Sequence, residues 1–241
     1  MRVNNNSVNF KSNIKFVNYK DFTKKIEFLK DDIQEVPFPW TIETMKTGKN
    51  LYTVGVMECL SGFVTDGKDT AMFHLGTRNK KLADEAGVKP FDINNIETVF
   101  KSKFDLTKRF LHGFILGAFD SNKDKLEQLK QMFAKYNIPC SVFAVRKDIH
   151  YYGKYSLLYT QDNDKLVISN NLTEAKPLMN RSGKGYELRV DGNKVAYTTY
   201  IKGRDKYGVT YEDVHHIGTP QDFFESQFNE VTLCDYDKWD S

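Results

Sequence analysis

The sequence predicts a mixed α/β fold, with layered mixed β-sheets flanked by helices and with additions at both ends of a central core. Short apolar stretches rich in Val, Ile, Phe and Tyr recur between Gly-, Asn- and Asp-containing turns, which is typical of strands. Other segments repeat apolar residues every three or four positions, which is typical of helices that lie on a sheet. Because many predicted strands follow one another directly, we expect much antiparallel pairing.

The first elements are a short strand and an amphipathic helix. The strand is predicted at 14–17, and the helix begins at Asp21 as its N-cap and carries Ile33 on its apolar face before Pro37 ends it. Residues 42–47 and 51–57 then predict two strands around a Gly-Lys-Asn turn, which indicates a hairpin.

The central part of the chain alternates strands and helices. Strands at 60–64 and 71–75 flank a polar turn. The continuous apolar run at 110–119 is typical of a buried central strand. The remaining central elements are predicted in this order: helices at 80–86, 93–104 and 122–136, and strands at 141–145, 155–160 and 166–169.

Composition becomes polar near Asn170, which divides the chain into three predicted segments. These are an N-terminal arm and helix at 1–40, a core at 41–170, and a C-terminal extension packed on the core at 171–241. The extension is predicted to contain a hairpin of strands 186–190 and 194–201 across an Asp-Gly turn, and a helix that begins at Thr219 and includes Phe228.

Charge and hydropathy exclude several classes of protein. The 35 basic and 32 acidic residues are interspersed and leave a net charge of +3, so we expect no nucleic-acid partner. No apolar run reaches the roughly 18 residues of a membrane span. The N-terminus carries no apolar signal core, so Sec export is not expected.

The cysteines and histidines give no metal or disulfide pattern. The three cysteines are widely separated, which indicates a reducing compartment and no zinc site. His215 and His216 lie beside Asp213, and a polar loop is the favoured interpretation of that segment over a metal site. We therefore expect no metal and no cofactor, and a monomeric chain.

Cys59, His74 and Thr53 are the residues that point to chemistry. Segment 53–59 reads TVGVMEC, and a polar turn separates it from AMFHL, which contains His74. A cysteine nucleophile needs a base, and the base needs a group that orients its ring. On spacing alone, a small core cysteine and a strand-surface Thr53 remain the simpler interpretations. For Thr53 to orient His74 the chain must bend, and Gly55 is the natural position for a bulge.

The order of these elements resembles a known family. Segment 53–59 resembles the Thr-x-Gly-x-Gly-Ser-Cys segment of CheD, the chemoreceptor glutamine deamidase, in which the histidine follows on the next strand as His74 does here. Residues 114–119 read FILGAF and stand where CheD has a strand that ends in Gly-Gly-Ala. The resemblance covers roughly residues 40–170. Cytotoxic necrotizing factor catalytic domains and the Burkholderia lethal factor share this fold and the cysteine–histidine pair.

This resemblance implies a CheD/CNF-like cysteine-dependent protein glutamine deamidase with Cys59, His74 and Thr53 as its catalytic residues. Its partner would be a protein substrate with an exposed glutamine. We expect a bacterial effector or toxin acting on a host protein, held in the bacterial cytoplasm before export by a non-Sec route. The alternatives are a CheD-like chemoreceptor deamidase and a non-catalytic protein-binding module. Glu58, where the family usually has a small residue, would fit the module, because a carboxylate beside the nucleophile disfavours the thiolate.

Overall fold

The computed structural model describes the backbone of most of the chain, and side chains are described for most of those residues up to 169. The described residues are 14–38, 41–44, 49–56, 59–108, 110–117, 122–145, 154–161, 165–170, 178–179, 185–186, 189–191, 194–200, 213–218 and 228–233.

Sixteen strands and four helices lie within the described residues. The helices are α1 (Tyr19–Phe28), α2 (Lys80–Glu85), α3 (Ile93–Lys103) and α4 (Lys123–Lys135). The strands are β1 (Ile14–Asn18), β2 (Ile33–Glu35), β3 (Thr41–Thr44), β4 (Asn50–Val56), β5 (Leu60–Thr65), β6 (Thr70–Leu75), β7 (His112–Gly117), β8 (Cys140–Val145), β9 (Tyr155–Thr160), β10 (Lys165–Asn170), β11 (Leu178–Met179), β12 (Gly185–Tyr186), β13 (Arg189–Asp191), β14 (Lys194–Tyr200), β15 (Asp213–Gly218) and β16 (Phe228–Leu233).

Two large mixed sheets carry the fold. Sheet I has the strand order β1-β10-β9-β4-β2, and sheet II has the order β16-β8-β7-β5-β6-β3. Parallel pairs occur in both, between β1 and β10, between β2 and β4, and between β7 and β8, while the other pairs in these sheets are antiparallel. The predicted mixed α/β class with layered mixed sheets and flanking helices is confirmed.

The two sheets pack face to face. Leu51, Leu157 and Tyr159 of sheet I share one buried cluster with Phe63 and Phe114 of sheet II. The ring centroids of Phe63 and Tyr159 lie 4.5 Å apart across this interface. Alternate side chains of a strand point to opposite faces, so each sheet also has an outer apolar face that needs a cover.

Helices cover both outer faces. Phe22 of α1 packs with Leu158 and Val167 on the outer side of sheet I. Residues of α3 and α4, among them Phe100 and Phe133, cover the outer side of sheet II. The described layers therefore run helix, sheet, sheet, helices, and the core between the two sheets is the place where a residue of one sheet can reach a residue of the other.

The predicted hairpin between 42–47 and 51–57 is wrong. β3 pairs antiparallel with β6 at the edge of sheet II, with Thr41 opposite His74. β4 lies in sheet I between β9 and β2. Two consecutive strands that belong to opposite sheets of a sandwich have the same local pattern as a hairpin, since periodicity indicates a strand but not its partner.

The first helix also differs from its prediction. α1 begins at Tyr19, before Asp21, and it ends at Phe28. Ile33 continues the helical spacing in the sequence but lies in β2, which pairs parallel with β4.

Strands from both ends of the chain belong to the sheets. β1 pairs with β10 in sheet I, and β16 pairs with β8 in sheet II. The predicted hairpin across Asp191 and Gly192 is present as a pair of strands, with Val190 opposite Val195, but Asp191 belongs to β13 and lies opposite Lys194. The predicted start of the last helix at Thr219 lies outside the described residues, and Phe228 is the first residue of a strand. The division at residues 40 and 170 remains a prediction, and both sheets contain strands from more than one of those segments.

Candidate active site

A bulge in β4 sets the position of Thr53. Thr53 lies opposite Leu157, whereas Val56 lies opposite Tyr155, so β4 has one residue more than β9 over this stretch. Gly55 has φ 79°, in the left-handed region that a bulge of this kind assigns to glycine. The extra residue lets Thr53 and Val56 both be fully buried although they are three positions apart. The bend expected at Gly55 is therefore present.

His74 faces Thr53 from the opposite sheet. Met72, two residues earlier on β6, belongs to the cluster between the sheets, and the period of two places His74 on the same face. The distance between Thr53 Oγ1 and His74 Nδ1 is 2.8 Å. This hydrogen bond joins the two sheets through residues that the sequence separates by 21 positions.

The Thr53 hydroxyl fixes the tautomer of His74. Its proton is donated to the carbonyl oxygen of Val36 at 2.7 Å. A hydroxyl has one proton, so Thr53 Oγ1 accepts from His74, and His74 carries its proton on Nδ1. The lone pair is then on Nε2, the atom that a general base would use. The role of the Val36 carbonyl could not be found from the sequence, because every residue has a backbone carbonyl.

Cys59 directly precedes β5, on the face that His74 occupies. Leu60 pairs with Leu75, and Ser61 pairs with His74. Extending this register by one residue places Cys59 on the diagonal from His74, a relation that brings side chains within roughly 7–8 Å. Cys59 also belongs to the cluster between the sheets and is 8 % exposed. The structure thus brings Thr53 and His74 into direct contact and places Cys59 in the cluster between the same two sheets.

Gly117, at the end of β7, allows the backbone to approach Cys59. A Cβ atom on Gly117 would lie 2.6 Å from the carbonyl oxygen of Cys59. Its φ is 145°, which also disfavours other residues. The sequence resemblance placed this glycine in the Gly-Gly-Ala position, and the structure shows that it lies against the cysteine.

Burial decides the charge of His74. The residue has no exposed surface, and burial lowers the pKa of His74 from 6.5 to about 4. The imidazole is therefore neutral at neutral pH. Among the described residues, Nε2 has no hydrogen-bond partner, Cys59 Sγ included. A buried acceptor without a partner costs about 1–3 kcal/mol, so its retention needs an explanation.

Phe38 packs against the buried ring of His74 and is itself mainly exposed. The two ring centroids are 5.0 Å apart and the planes are tilted by 55°. Phe38 is 56 % exposed, which is unusual for a phenylalanine. Sequence reasoning missed this residue, because its flanking prolines were interpreted only as the end of a helix.

The other residues that the sequence analysis considered are Glu58, His215 and His216. Glu58 lies outside the described residues. The polar-loop interpretation of His215 and His216 is wrong, since both lie in β15. No group of three or more His, Cys, Asp or Glu that could hold a metal ion occurs in the described part of the chain. No helix found there is long and apolar enough to cross a membrane.

No protein-family model matches this sequence, and no curated protein matches it. The described residues place a buried neutral imidazole, with an oriented ring and an unpartnered Nε2, on one face with a cysteine.

Proposed function

We propose that the protein is a cysteine-dependent protein glutamine deamidase with a CheD/CNF-like catalytic core. The observation that carries the proposal is the 2.8 Å hydrogen bond between Thr53 Oγ1 and His74 Nδ1. This hydrogen bond orients the imidazole so that the lone pair of Nε2 points away from Thr53. Cys59 lies on the same face of the sheet as His74. The second support is the resemblance of segment 53–59 and its following strand to the deamidase pattern.

The first half-reaction forms a thioester. His74 Nε2 takes the proton of the Cys59 thiol, and the thiolate attacks the side-chain carbonyl carbon of a glutamine. The tetrahedral intermediate collapses with cleavage of the carbon–nitrogen bond. The leaving nitrogen receives the proton from His74 and departs as ammonia.

The second half-reaction restores the enzyme. Water attacks the thioester while His74 Nε2 takes its proton, and the carbon–sulfur bond breaks. The products are a glutamate side chain and the Cys59 thiol, which regains a proton from His74. Thr53 remains the acceptor of Nδ1–H throughout, so it is a positioning residue in both steps. A primary amine in place of water would give a substituted amide.

The substrate is proposed to be a host protein, with the chain acting as an exported bacterial effector or toxin. This part of the proposal depends on the N-terminal arm and the C-terminal extension, which lie outside residues 40–170, the segment that resembles CheD. A chemoreceptor is the alternative substrate for the same chemistry.

The experiment follows conversion of glutamine to glutamate in a mixture of denatured proteins by peptide mass spectrometry, with trapping of the thioester by a fluorescent primary amine. We expect activity in the wild type and its loss in Cys59→Ala and His74→Ala. Cys140→Ala is the matched control, because Cys140 is equally buried but lies under the helices of sheet II. Full activity of Cys59→Ala would overturn the proposal.

A non-catalytic binding module is the second candidate, and the burial of the site favours it. Cys59 is 8 % exposed and His74 is fully buried, so the thiol is covered in the structure. In that case the folded protein would form no thioester with any glutamine substrate, and Cys59 and Cys140 would react with iodoacetamide at similar slow rates. Selective labelling of Cys59 would favour the enzyme.

A further inference from the structure

Phe38 differs from the other described neighbours of His74 in its exposure. Thr53 and Ser61 are fully buried, and Thr41, opposite His74 on β3, is partly buried. Phe38 is 56 % exposed, yet its ring lies 5.0 Å from the imidazole. Phe38 is thus a mainly exposed side chain that lies against a fully buried imidazole.

The backbone near Phe38 is anchored on one side. The Val36 N–H donates to Tyr52 O at 2.8 Å, and the Val36 carbonyl accepts from Thr53 at 2.7 Å. Pro37 has no N–H to continue this pairing. Phe38 therefore lies two residues after Val36, whose carbonyl orients Thr53, and a rotation of the Phe38 side chain leaves the hydrogen bonds of Val36 in place.

A cover over His74 accounts for two properties of the site. It would keep water from Nε2, a buried acceptor for which the described residues supply no partner. It also holds the imidazole in a desolvated environment, the cause of the lowered pKa of His74. A reactant that reaches Nε2 has to displace whatever separates that atom from solvent.

We propose that Phe38 is the movable cover of the site, a residue that seals His74 in the resting protein and leaves it when a substrate side chain enters. For the identity of that side chain, a glutamine, the inference rests on the proposed function. The cover itself is a property of the protein without substrate and can be measured without activity.

Diethyl pyrocarbonate, which acylates neutral accessible imidazoles, is the first probe. We expect His74 in the full chain to react slowly and to react roughly tenfold faster in Phe38→Ala, because a local opening is no longer required. Phe38→Tyr keeps the ring and should retain the slow rate. Phe28→Ala is the matched control, since Phe28 is 87 % exposed at the end of α1, on the outer side of sheet I.

The pKa of His74 is the second readout, measured by NMR titration of the imidazole. It should rise from about 4 toward 6.5 in Phe38→Ala and stay unchanged in Phe28→Ala. An unchanged His74 rate and pKa in Phe38→Ala would overturn the inference. A parallel increase in the rate at which diethyl pyrocarbonate acylates His112 would also overturn the inference, because it would indicate a general loosening of the fold. Absence of deamidation in every variant would count against the proposed function and leave the cover standing.

Discussion

His74 is oriented by a neutral hydroxyl and not by a carboxylate. Thr53 fixes the ring and the tautomer through the 2.8 Å hydrogen bond, but it brings no negative charge to balance an imidazolium. Burial adds to this effect, and the pKa of His74 falls to about 4. We therefore expect the resting site to contain a neutral imidazole, with proton transfer occurring only during attack.

Thr53→Val tests the positioning role of the hydroxyl. The variant keeps the shape of the side chain but leaves Nδ1–H without its acceptor, which should cost about 1–3 kcal/mol of stability. We expect deamidation to fall on the order of 100-fold, since the ring loses its orientation. Nitrogen-15 NMR should show loss of the single Nδ1–H tautomer.

Thr53→Ser is the matched control for this prediction, because it restores the hydroxyl. It should recover both the tautomer and most of the activity. A single Nδ1–H tautomer in Thr53→Val would show that another group orients His74.

The lowered pKa of His74 also predicts how stability depends on pH. Its folded-state pKa of about 4 lies below the unfolded value of 6.5, so the unfolded chain binds the proton more tightly. Stability from this group is fully present above pH 6.5 and is lost as the pH falls toward 4. Between pH 7 and pH 5 the loss should be about 2 kcal/mol, measured by urea denaturation.

His74→Gln removes the titrating group and should flatten this pH window. Glu97 titrates in a lower pH range, because hydrogen bonds from Lys135, Tyr136 and Lys101 lower the pKa of its carboxyl from 4.5 to about 2. An unchanged stability difference between pH 7 and pH 5 in His74→Gln would contradict the assignment to His74.

At the scale of elements, the bulge in β4 turns the Thr53 side chain toward sheet II, where His74 lies. Without the extra residue, Thr53 and Val56 would point to opposite faces of sheet I. With it, both face sheet II, and β4 ends three residues before Cys59, which directly precedes β5. The element that positions Thr53 is therefore also the one that carries the chain toward the cysteine.

Gly55→Ala should destabilise the bulge in β4. The left-handed φ of 79° should cost alanine about 1–2 kcal/mol, and no other group lies within 4 Å of the added methyl. Gly87→Ala is the matched control, since Gly87 has φ 65°, equally open surroundings and a position just after α2. We expect similar stability losses in urea denaturation but a disturbed His74 tautomer only in Gly55→Ala. Equal tautomer spectra for both variants would show that the bulge does not hold Thr53.

The elements also show what a sequence can predict about this site. Helices such as α4 follow from their local apolar spacing, and the bend at Gly55 follows from the need to turn Thr53 toward His74. The pairing of β3 with β6 does not, because partner choice depends on contacts that are distant in sequence. Phe38 and the Val36 carbonyl have no local signal, since their roles exist only once β2, β4 and β6 come together.

At the scale of the whole molecule, the site is divided between the sheets. Thr53 and the residue that holds it, Val36, belong to the side of sheet I, while Cys59 and His74 belong to sheet II. Any change that shifts one sheet against the other therefore alters the Thr53–His74 distance. The packing between the sheets, with the ring centroids of Phe63 and Tyr159 4.5 Å apart, therefore helps to set the Thr53–His74 distance.

Both large sheets contain strands from outside residues 41–170. We therefore predict that residues 41–170 do not fold by themselves. That shortened chain lacks β1, whose Phe16 is buried between the sheets and stacks with Phe143 at 6.1 Å. It also lacks Phe22, which covers the outer face of sheet I, and the Val36 carbonyl that holds Thr53. We expect no cooperative urea transition, and we expect exposed apolar surface that binds a hydrophobic dye.

Residues 14–170 are the control, because this longer chain loses only β16 from the two large sheets and should keep a cooperative transition at reduced stability. A cooperative transition for 41–170, with a single His74 tautomer, would instead show that the site is assembled by the central segment alone.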